Sequence, residues 1–343
     1  MRKFFLAVIL LFGILFIISR FTEVQKITAT LKSGNIWYLL LAVFFEGLWI
    51  LNVSLTWQLI YRTLGVILSR WHLFQLVMAG NFANTVAPTG GVSIVAIYMD
   101  DAKKRGISSA RVAVAYAMNL LFDYSGLLFI LTFGLAVLAR RNNLHWPEIT
   151  ASIILLTAAF ILVVVLYLAM QSSRNLESFL AECAKIINRI CRPFIHREYL
   201  SIERARSFAN EAADGTAVLR ENRRQLLPIL LLSITNKSLL LSILLATFWA
   251  FQIPYSVGTI VAGFSIGYLF VIVSPSPNGM GVMEGILTLT LVTLGVAVDA
   301  AAVVTIAFRG ITFWIPLLIG VITIRNLKTG RKATTVTNPP ENV

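Results

Sequence analysis

Residues 274–285 read SPSPNGMGVMEG, which places two prolines, three glycines and one carboxylate, Glu284, in an otherwise apolar part of the chain. The apolar run 257–273 precedes this stretch and the apolar run 286–298 follows it. Proline and glycine interrupt helices, and lipid cannot satisfy the backbone groups that an interruption frees. We therefore interpret residues 256–297 as a re-entrant helical hairpin, with its break shielded by protein or lining a wet cavity.

The composition of the whole chain is that of a membrane protein. Of its 343 residues, 57% are hydrophobic and 13% are charged, whereas soluble domains carry about 25% charged residues. The mean hydropathy is +0.80. Six apolar runs are candidate spans of a hydrocarbon layer about 30 Å thick: residues 4–18, 36–61, 111–139, 149–170, 226–251 and 300–324. We expect an all-α, polytopic membrane protein.

We treat the chain as one transmembrane domain, residues 1–343, in which two halves are joined by polar sequence. Its parts are a first half 1–139 with a re-entrant hairpin 71–99, a cytoplasmic amphipathic segment 171–225, a second half 226–324 with the hairpin 256–297, and a cytoplasmic tail 325–343. An amphipathic helix at the membrane surface is expected over residues 21–35.

The distribution of basic residues predicts the orientation. The net charge of +13 comes from Lys and Arg between the apolar runs, as in cytoplasmic loops that face anionic lipid. We expect a cell (inner or plasma) membrane protein with both termini cytoplasmic. No basic patch carries interleaved aromatics, which excludes nucleic acid as a partner. The two cysteines and three histidines form no metal-spaced cluster, so we expect neither a metal nor a cofactor.

A similar break at residues 88–91 indicates an internal duplication; we call residues 88–91 the first break and residues 277–281 the second break. Pro88-Thr89-Gly90-Gly91 resembles Pro277-Asn278-Gly279-Met280-Gly281, and eighteen residues after each proline comes a Gly-Ile or Gly-Val pair, at 106 and 295. With the predicted orientation the two hairpins enter from opposite sides, which is the inverted-repeat design of many transporters. Two ordinary spans kinked by proline and glycine are the alternative.

Ionisable side chains inside the spans are costly and mark candidate functional sites. The candidates for binding a substrate, with the polar residues near them, are Glu284, Arg309, Asp123, Asn81 and Asn84; Glu46 and Lys237 are candidates for coupling. Arg309 and Glu284 flank one short turn, and we expect them to pair and present spare Arg donors to a phosphate. A structural ion pair between helices is the alternative, and Glu46 and Lys237 could also snorkel or pair elsewhere.

The last third of the chain resembles the transmembrane region of lysylphosphatidylglycerol synthases, a family of flippase-like membrane proteins. Pro275, Pro277, Gly279, Gly281 and Glu284 match the family's proline–glycine–acid motif. Arg309 and Pro316 match its last span, NTVAPTGG resembles its first motif, and Asp123 fits its third-span acid. The resemblance covers most of the chain, is strongest in the last third, and supports a role in moving lipid.

The first half departs from the family pattern. Its first motif continues as SIVAIYMDD without the usual Arg, and Asn119-Leu120 replaces the acidic–basic pair expected before Asp123. The soluble aminoacyl-transferase domain of some relatives is absent from this sequence, so lipid aminoacylation is not implied. No catalytic or nucleotide-binding motif occurs, and we expect a protein that is not an enzyme.

We expect translocation of an anionic or polyprenyl-linked lipid between leaflets. Glu284 and Arg309 would bind the head group, Asp123, Asn81 and Asn84 would line the other half of the path, and the glycines of both breaks would permit close backbone approach. Protons could drive the movement through Glu46 or Asp123. Two alternatives remain open: a membrane scaffold or partner subunit of a glycosyltransferase or other envelope-lipid enzyme, and an intramembrane enzyme acting on lipid-linked sugars.

Overall fold

A computed structural model describes residues 21–86, 92–171, 177–178, 182, 223–274 and 276–326. Within these residues every regular element is a helix, so the all-α, polytopic fold is confirmed. The expected span 4–18, nearly all of segment 171–225 and nearly all of the tail lie outside the described residues, as do residues 87–91 at the first break.

The described helices are numbered α1 to α11 in chain order. They are α1 Phe21–Ser33, α2 Ile36–Thr63, α3 Arg70–Val86, α4 Val92–Lys104, α5 Ser109–Arg140, α6 Trp146–Gln171, α7 Leu226–Ala250, α8 Val257–Val273, α9 Val282–Thr293, α10 Val298–Thr312 and α11 Trp314–Asn326. Short 3-10 turns, Arg223–Gln225 and Pro277–Gly279, precede α7 and α9.

Five described elements are long and apolar enough to cross a membrane, and each coincides with a predicted span. They are Ile36–Thr63, Ser109–Arg140, Trp146–Leu168, Leu226–Ala250 and the α10–α11 unit Val298–Thr323. The last unit bends at Phe313, three residues before Pro316, which has no N–H to continue the helical ladder. Helix α6 leaves Ile153, Leu156 and Phe160 exposed, as expected of a surface that faces lipid.

Four shorter helices form two hairpins, α3 with α4 and α8 with α9. Within each hairpin the two helices pack against each other. The turn Pro277–Gly279 connects α8 to α9 at the tip of the second hairpin, and residues 87–91, which contain the first break, lie outside the described residues. Entry of each hairpin into a membrane from one side stays a prediction.

One end of the helix bundle carries most of the exposed basic side chains of the described residues, and we call it the basic end. There Thr63, at the end of α2, donates to Gln225 ahead of α7 at 3.1 Å. His72, near the start of α3, meets Asp101, near the end of α4, with 2.7 Å between Nε2 and Oδ2. Both helices of the first hairpin therefore reach the basic end.

The opposite end of the bundle holds the base of the second hairpin. The Asn35 backbone N–H, ahead of α2, donates to Ala250 O at the end of α7 at 2.8 Å. Arg141 donates to Ser256 Oγ at 3.0 Å and to Leu294 O at 3.2 Å, which connects α5 to the start of α8 and the end of α9. The two hairpins therefore point towards each other from opposite ends.

Most of the extensive helix contacts join one half of the chain to the other. Helix α2 packs most extensively against its counterpart α7, and the first hairpin helix of each half packs against the long final element of the other half, α3 against α11 and α8 against α5. Close approach of the last two pairs depends on glycine. A Cβ on Gly320 would lie 2.6 Å from Met78 O, and one on Gly134 would collide with Ser265.

The turns aligned by sequence also adopt the same conformation. Gly106 and Gly295 have φ of 70° and 92°, a left-handed conformation that favours glycine. The following N–H groups, of Ile107 and Val296, donate to carbonyls five residues earlier at 2.9 and 3.0 Å. Each turn is a Schellman cap that ends a hairpin helix and starts a long helix, which supports the duplication.

Candidate functional site

The second break is a tight non-helical turn between α8 and α9 that begins at Pro277. Asn278, Gly279 and Gly281 have φ of 49°, 67° and 79°, in the region that glycine and asparagine tolerate best. Gly279 is buried, and a Cβ there would collide with a valine of α8. Gly281 caps α9, and Glu284 follows in the first turn of that helix, where the helix dipole stabilises a carboxylate.

Arg309 of α10 reaches across to this break. Its Nε donates to Glu284 Oε1 at 2.8 Å, and a terminal NH₂ donates to the Asn278 carbonyl at 3.4 Å. The guanidinium also lies over the Phe313 ring, 4.7 Å from its centroid. The Arg309 side chain is 10% exposed and that of Glu284 27% exposed. The pair expected from the sequence forms, and its role in binding a substrate stays a prediction.

Hydrogen-bonding capacity remains at the pair. Within the described residues, Glu284 Oε2 is buried and has no hydrogen-bond partner. Arg309 has five N–H donors, and two of them meet the acceptors described above. A carboxylate oxygen that needs a donor therefore lies beside a guanidinium with donors to spare.

The break also contacts the first hairpin. Asn278 Nδ2 donates to Thr85 Oγ1, in the last turn of α3, at 3.5 Å. Met280 packs on the apolar cluster that includes Phe82 of α3 and Trp314 of α11. The tip of the second hairpin thus lies beside the helix that leads into the first break. Of that break, Pro88, Gly90 and Gly91 lie outside the described residues.

The remaining polar candidates separate into two places. Asn81 and Asn84 are half-buried on α3, and the Asn81 carbonyl accepts from Thr85 Oγ1 at 2.9 Å. Both residues therefore lie on the helix that contacts the second break. Asp123 is on α5, where Lys237 Nζ of α7 donates to its Oδ1 at 2.6 Å. The partner of Lys237 that the sequence left open is thus Asp123.

This second ion pair lies near the middle of two long helices. The Lys237 side chain is 4% exposed and that of Asp123 35% exposed. Lys237 Nζ also lies 5.0 Å from the centroid of the Tyr268 ring, on α8. A cation held between a carboxylate and an aromatic face is stabilised by both. The pair connects α5, α7 and the second hairpin.

Sequence reasoning missed Tyr268, whose ring lies between an ion pair and the apolar core. The ring centroid is 5.0 Å from Lys237 Nζ, and the ring packs on Phe264 with centroids 4.9 Å apart. A tyrosine among the apolar residues of α8 was the available signal, because a buried hydroxyl usually needs a partner.

Glu46 differs from the other membrane carboxylates. It is fully buried on α2, and within the described residues neither of its carboxylate oxygens has a hydrogen-bond partner. The part of the chain that the structure describes therefore contains two paired membrane acids, Asp123 and Glu284, and this unpaired one.

Five membrane-length helices with ion pairs between them define a multi-pass integral membrane protein with polar side chains inside its helix bundle. The chain belongs to the family described as the lysylphosphatidylglycerol synthase TM region, whose profile matches residues 4–320. The family assignment made from the motifs is therefore confirmed.

Two archaeal relatives match nearly the whole chain. A UPF0104 membrane protein of Methanothermobacter thermautotrophicus is 22% identical over 304 residues, which cover 87% of this chain and 88% of the relative. A UPF0104 membrane protein of Methanocaldococcus jannaschii is 22% identical over 330 residues, which cover 94% of each chain. Their names state membrane location and no activity.

Proposed function

We propose that the protein moves a lipid between the leaflets of a cell membrane without changing it covalently. The substrate is an anionic phospholipid or a lipid-linked sugar, and both termini are cytoplasmic. The observation that supports this most is the position of Arg309. It joins the acid and the backbone of the second break, and that break contacts the helix leading into the first.

Lipid translocation requires a path on which a polar head group avoids bare hydrocarbon. A charged group at the centre of a bilayer costs several kcal/mol, about 2.5–3.5 kcal/mol even on insertion scales. The second break offers polar backbone and side chains inside the bundle, and the helices of the two hairpins point towards each other from opposite ends. The contact between Thr85 and Asn278 supports a continuous path from one break to the other.

The chemistry of the pair suits a phosphate that carries a hydrogen-bond donor nearby. A guanidinium binds phosphate through two parallel N–H groups. The unpartnered Glu284 Oε2 accepts from a hydroxyl or an ammonium group. A phospholipid with a polar head and a sugar phosphate on a polyprenyl chain both present these groups, whereas an uncharged lipid presents neither phosphate nor charge.

The experiment compares lipid flipping in proteoliposomes. Head-group-labelled anionic and zwitterionic lipids are incorporated, and a membrane-impermeant quencher then reports the label that reaches the outer leaflet. The wild type, Arg309→Ala, Arg309→Lys and the double variant Glu284→Gln/Arg309→Met are tested beside empty vesicles. Arg140→Ala, at an exposed arginine ending α5, is the matched control.

We expect fast bleaching by the wild type and the Arg140 variant, and a loss of at least about tenfold in rate with Arg309→Ala, because one lost charge-assisted contact is worth about 1.5–3 kcal/mol. Arg309→Lys keeps the positive charge but lacks the planar guanidinium, so its flipping rate should lie between those of the wild type and Arg309→Ala. The double variant removes the charge without leaving an acid unpaired, so it should fold and still fail to flip lipid.

Two results contradict the proposal in different ways. If the folded double variant flips lipid as fast as the wild type, the pair is a structural lock between α9 and α10. If the wild type bleaches no label faster than empty vesicles, with any lipid, autonomous translocation is wrong. A search for a co-purifying glycosyltransferase would then test the scaffold alternative.

A further inference from the structure

Glu46 lies in a part of the bundle that the proposed lipid path does not use. The residue is 0% exposed, and within the described residues neither carboxylate oxygen has a hydrogen-bond partner. Two more buried polar atoms without a partner follow at three-residue intervals on α2, Trp49 Nε1 and Asn52 Oδ1. Polar groups left unpaired in an apolar interior are rare and call for an explanation.

The immediate surroundings of Glu46 are apolar. Ala42 and Trp49, about one turn away on either side, both pack in the cluster that contains Leu240 of α7, Phe264 of α8 and Phe308 of α10. Among the described residues, no side chain of this cluster donates a hydrogen bond to the acid. An ionised carboxylate in such a place would cost far more than any packing gain, so the resting acid is neutral and carries a proton.

The titratable groups on the surrounding helices do not change this conclusion. On the helices that pack against α2 they are Lys237 on α7, Arg70 and His72 on α3, Asp299 and Arg309 on α10, and Arg111, Tyr116, Asp123, Tyr124 and Arg140 on α5. Lys237, Asp123 and Arg309 are held in the two ion pairs. Arg70 donates to Gln58, and His72 pairs with Asp101 at the basic end. Phe308, next to Arg309, packs in the same apolar cluster as Ala42 and Trp49 beside Glu46, so the acid and the proposed lipid site border one cluster.

A purely structural glutamate would find a partner, and an apolar residue would fill the position better. An unpaired acid at this depth is useful where it gains and loses a proton. When water reaches Glu46 from one side of the membrane, it supplies the proton and an O–H bond forms on the carboxylate. When the other side is hydrated, the proton returns to water and no other bond changes.

We propose that Glu46 carries one proton per transport cycle and couples lipid movement to a proton gradient. This inference rests on the proposed function and names its energy source. A phosphate bound at Arg309 brings a negative charge to the apolar cluster that Glu46 also borders, where an ionised Glu46 would repel it. The lipid and the proton therefore bind together and move in the same direction. Lys237, held by Asp123, does not take part in proton transfer.

The proton on Glu46 can be tested without transport. Dicyclohexylcarbodiimide reacts with neutral carboxyl groups in apolar surroundings, and mass spectrometry of the full chain in nanodiscs locates the adduct. At about pH 7 we expect labelling at Glu46, decreasing as the pH is raised, and none in Glu46→Gln. Glu284, which is paired, and Glu148, outside the bundle core, are internal controls. Labelling of either control in preference to Glu46 would overturn the proposal.

The coupling is tested in the flipping assay with an imposed pH gradient. One proton per lipid corresponds to about tenfold accumulation of label in one leaflet per pH unit, since one unit is worth about 1.4 kcal/mol. Glu46→Gln mimics the protonated acid, so it should fold and bind lipid yet show no response to the gradient. Unchanged accumulation in Glu46→Gln would overturn the coupling and leave the proposed function intact. No flipping of any lipid by the wild type would overturn both.

Discussion

Breaking the ion pair between Asp123 and Lys237 should cost different amounts according to which partner is removed. The two side chains contact each other at 2.6 Å, but Lys237 is 4% exposed and Asp123 is 35% exposed. Asp123→Asn leaves an ammonium with almost no access to water. Lys237→Met leaves a partly exposed carboxylate, which water can reach on the proposed lipid path that Asp123 lines. We therefore expect the aspartate substitution to be the more damaging.

The magnitudes follow from the surroundings. Removing one partner of a buried pair costs about 3–5 kcal/mol because the other charge stays buried. In Asp123→Asn the Tyr268 ring, 5.0 Å from Nζ, offsets about 1–2 kcal/mol of this cost, which leaves a net loss of about 1–4 kcal/mol. In Lys237→Met hydration of the carboxylate limits the loss to about 1–2 kcal/mol. The double variant contains no buried charge and should lie within about 1 kcal/mol of the wild type.

Unfolding of the full chain in mixed micelles, with increasing dodecyl sulfate and tryptophan fluorescence as the readout, gives the four free energies of the cycle. Lys104→Met is the control, because it breaks an i,i+4 contact with Asp100 whose side chains are 39% and 53% exposed; such pairs are worth at most about 0.5 kcal/mol. Equal losses for the two single variants would refute the reasoning from exposure. A double variant as unstable as Asp123→Asn would refute the reasoning from the buried charge.

Two further predictions concern packing and pH. Gly126→Ala should destabilise the protein by about 1–3 kcal/mol in the same assay, because its Cβ would lie 2.7 Å from a carbonyl of α7. Gly47→Ala is the control and should be neutral or stabilising, because the space around Gly47 is open. Equal effects of the two substitutions would contradict this prediction. Burial raises the pKa of Asp101, but the hydrogen bonds and charges of His72 and Arg105 outweigh it and hold the pKa below its usual range. The stabilising effect of the Asp101 carboxylate is therefore present above about pH 4 and lost as the pH falls further. Acid should then speed hydrogen exchange at the base of the first hairpin, and Asp101→Asn should remove this acid dependence. An unchanged acid dependence in Asp101→Asn would contradict the prediction.

The spans and the Arg309–Glu284 pair were predictable because their signals are local. A span is a run of apolar residues, and its length can be read directly against the thickness of a bilayer. The pair is separated by a single turn at Gly295, so two antiparallel helices had to bring the side chains to similar depth. The turns at Gly106 and Gly295 were equally visible, because in each a glycine stands between two helical segments, where a left-handed cap is common.

The partner of Lys237 was not predictable, because Asp123 lies 114 residues away on another helix. Their contact depends on the register of α5 against α7 and on the distance between the two helices, and a glycine sets that distance. Ser233 of α7 packs against Gly126 so closely that a Cβ would lie 2.6 Å from its hydroxyl. A single sequence does not show which of several glycines faces which helix. Tyr268 was missed for the same reason.

The two halves share the same order of helices and turns, but their charged residues do not occupy matching positions. Counting from the aligned glycines and prolines, the position of Arg309 corresponds to Leu120 and that of Glu284 to Val95. The first half therefore keeps the cap and the hairpin and has no counterpart of the ion pair. Its helix α3 supplies the neutral Thr85 to the break of the second half. On the proposed path a head group would meet the ion pair of α9 and α10 in the second half, whereas the matching positions of the first half, Leu120 and Val95, are neutral. A carrier needs this asymmetry less for specificity than for release, because a second equally strong site would hold the anion where it must leave.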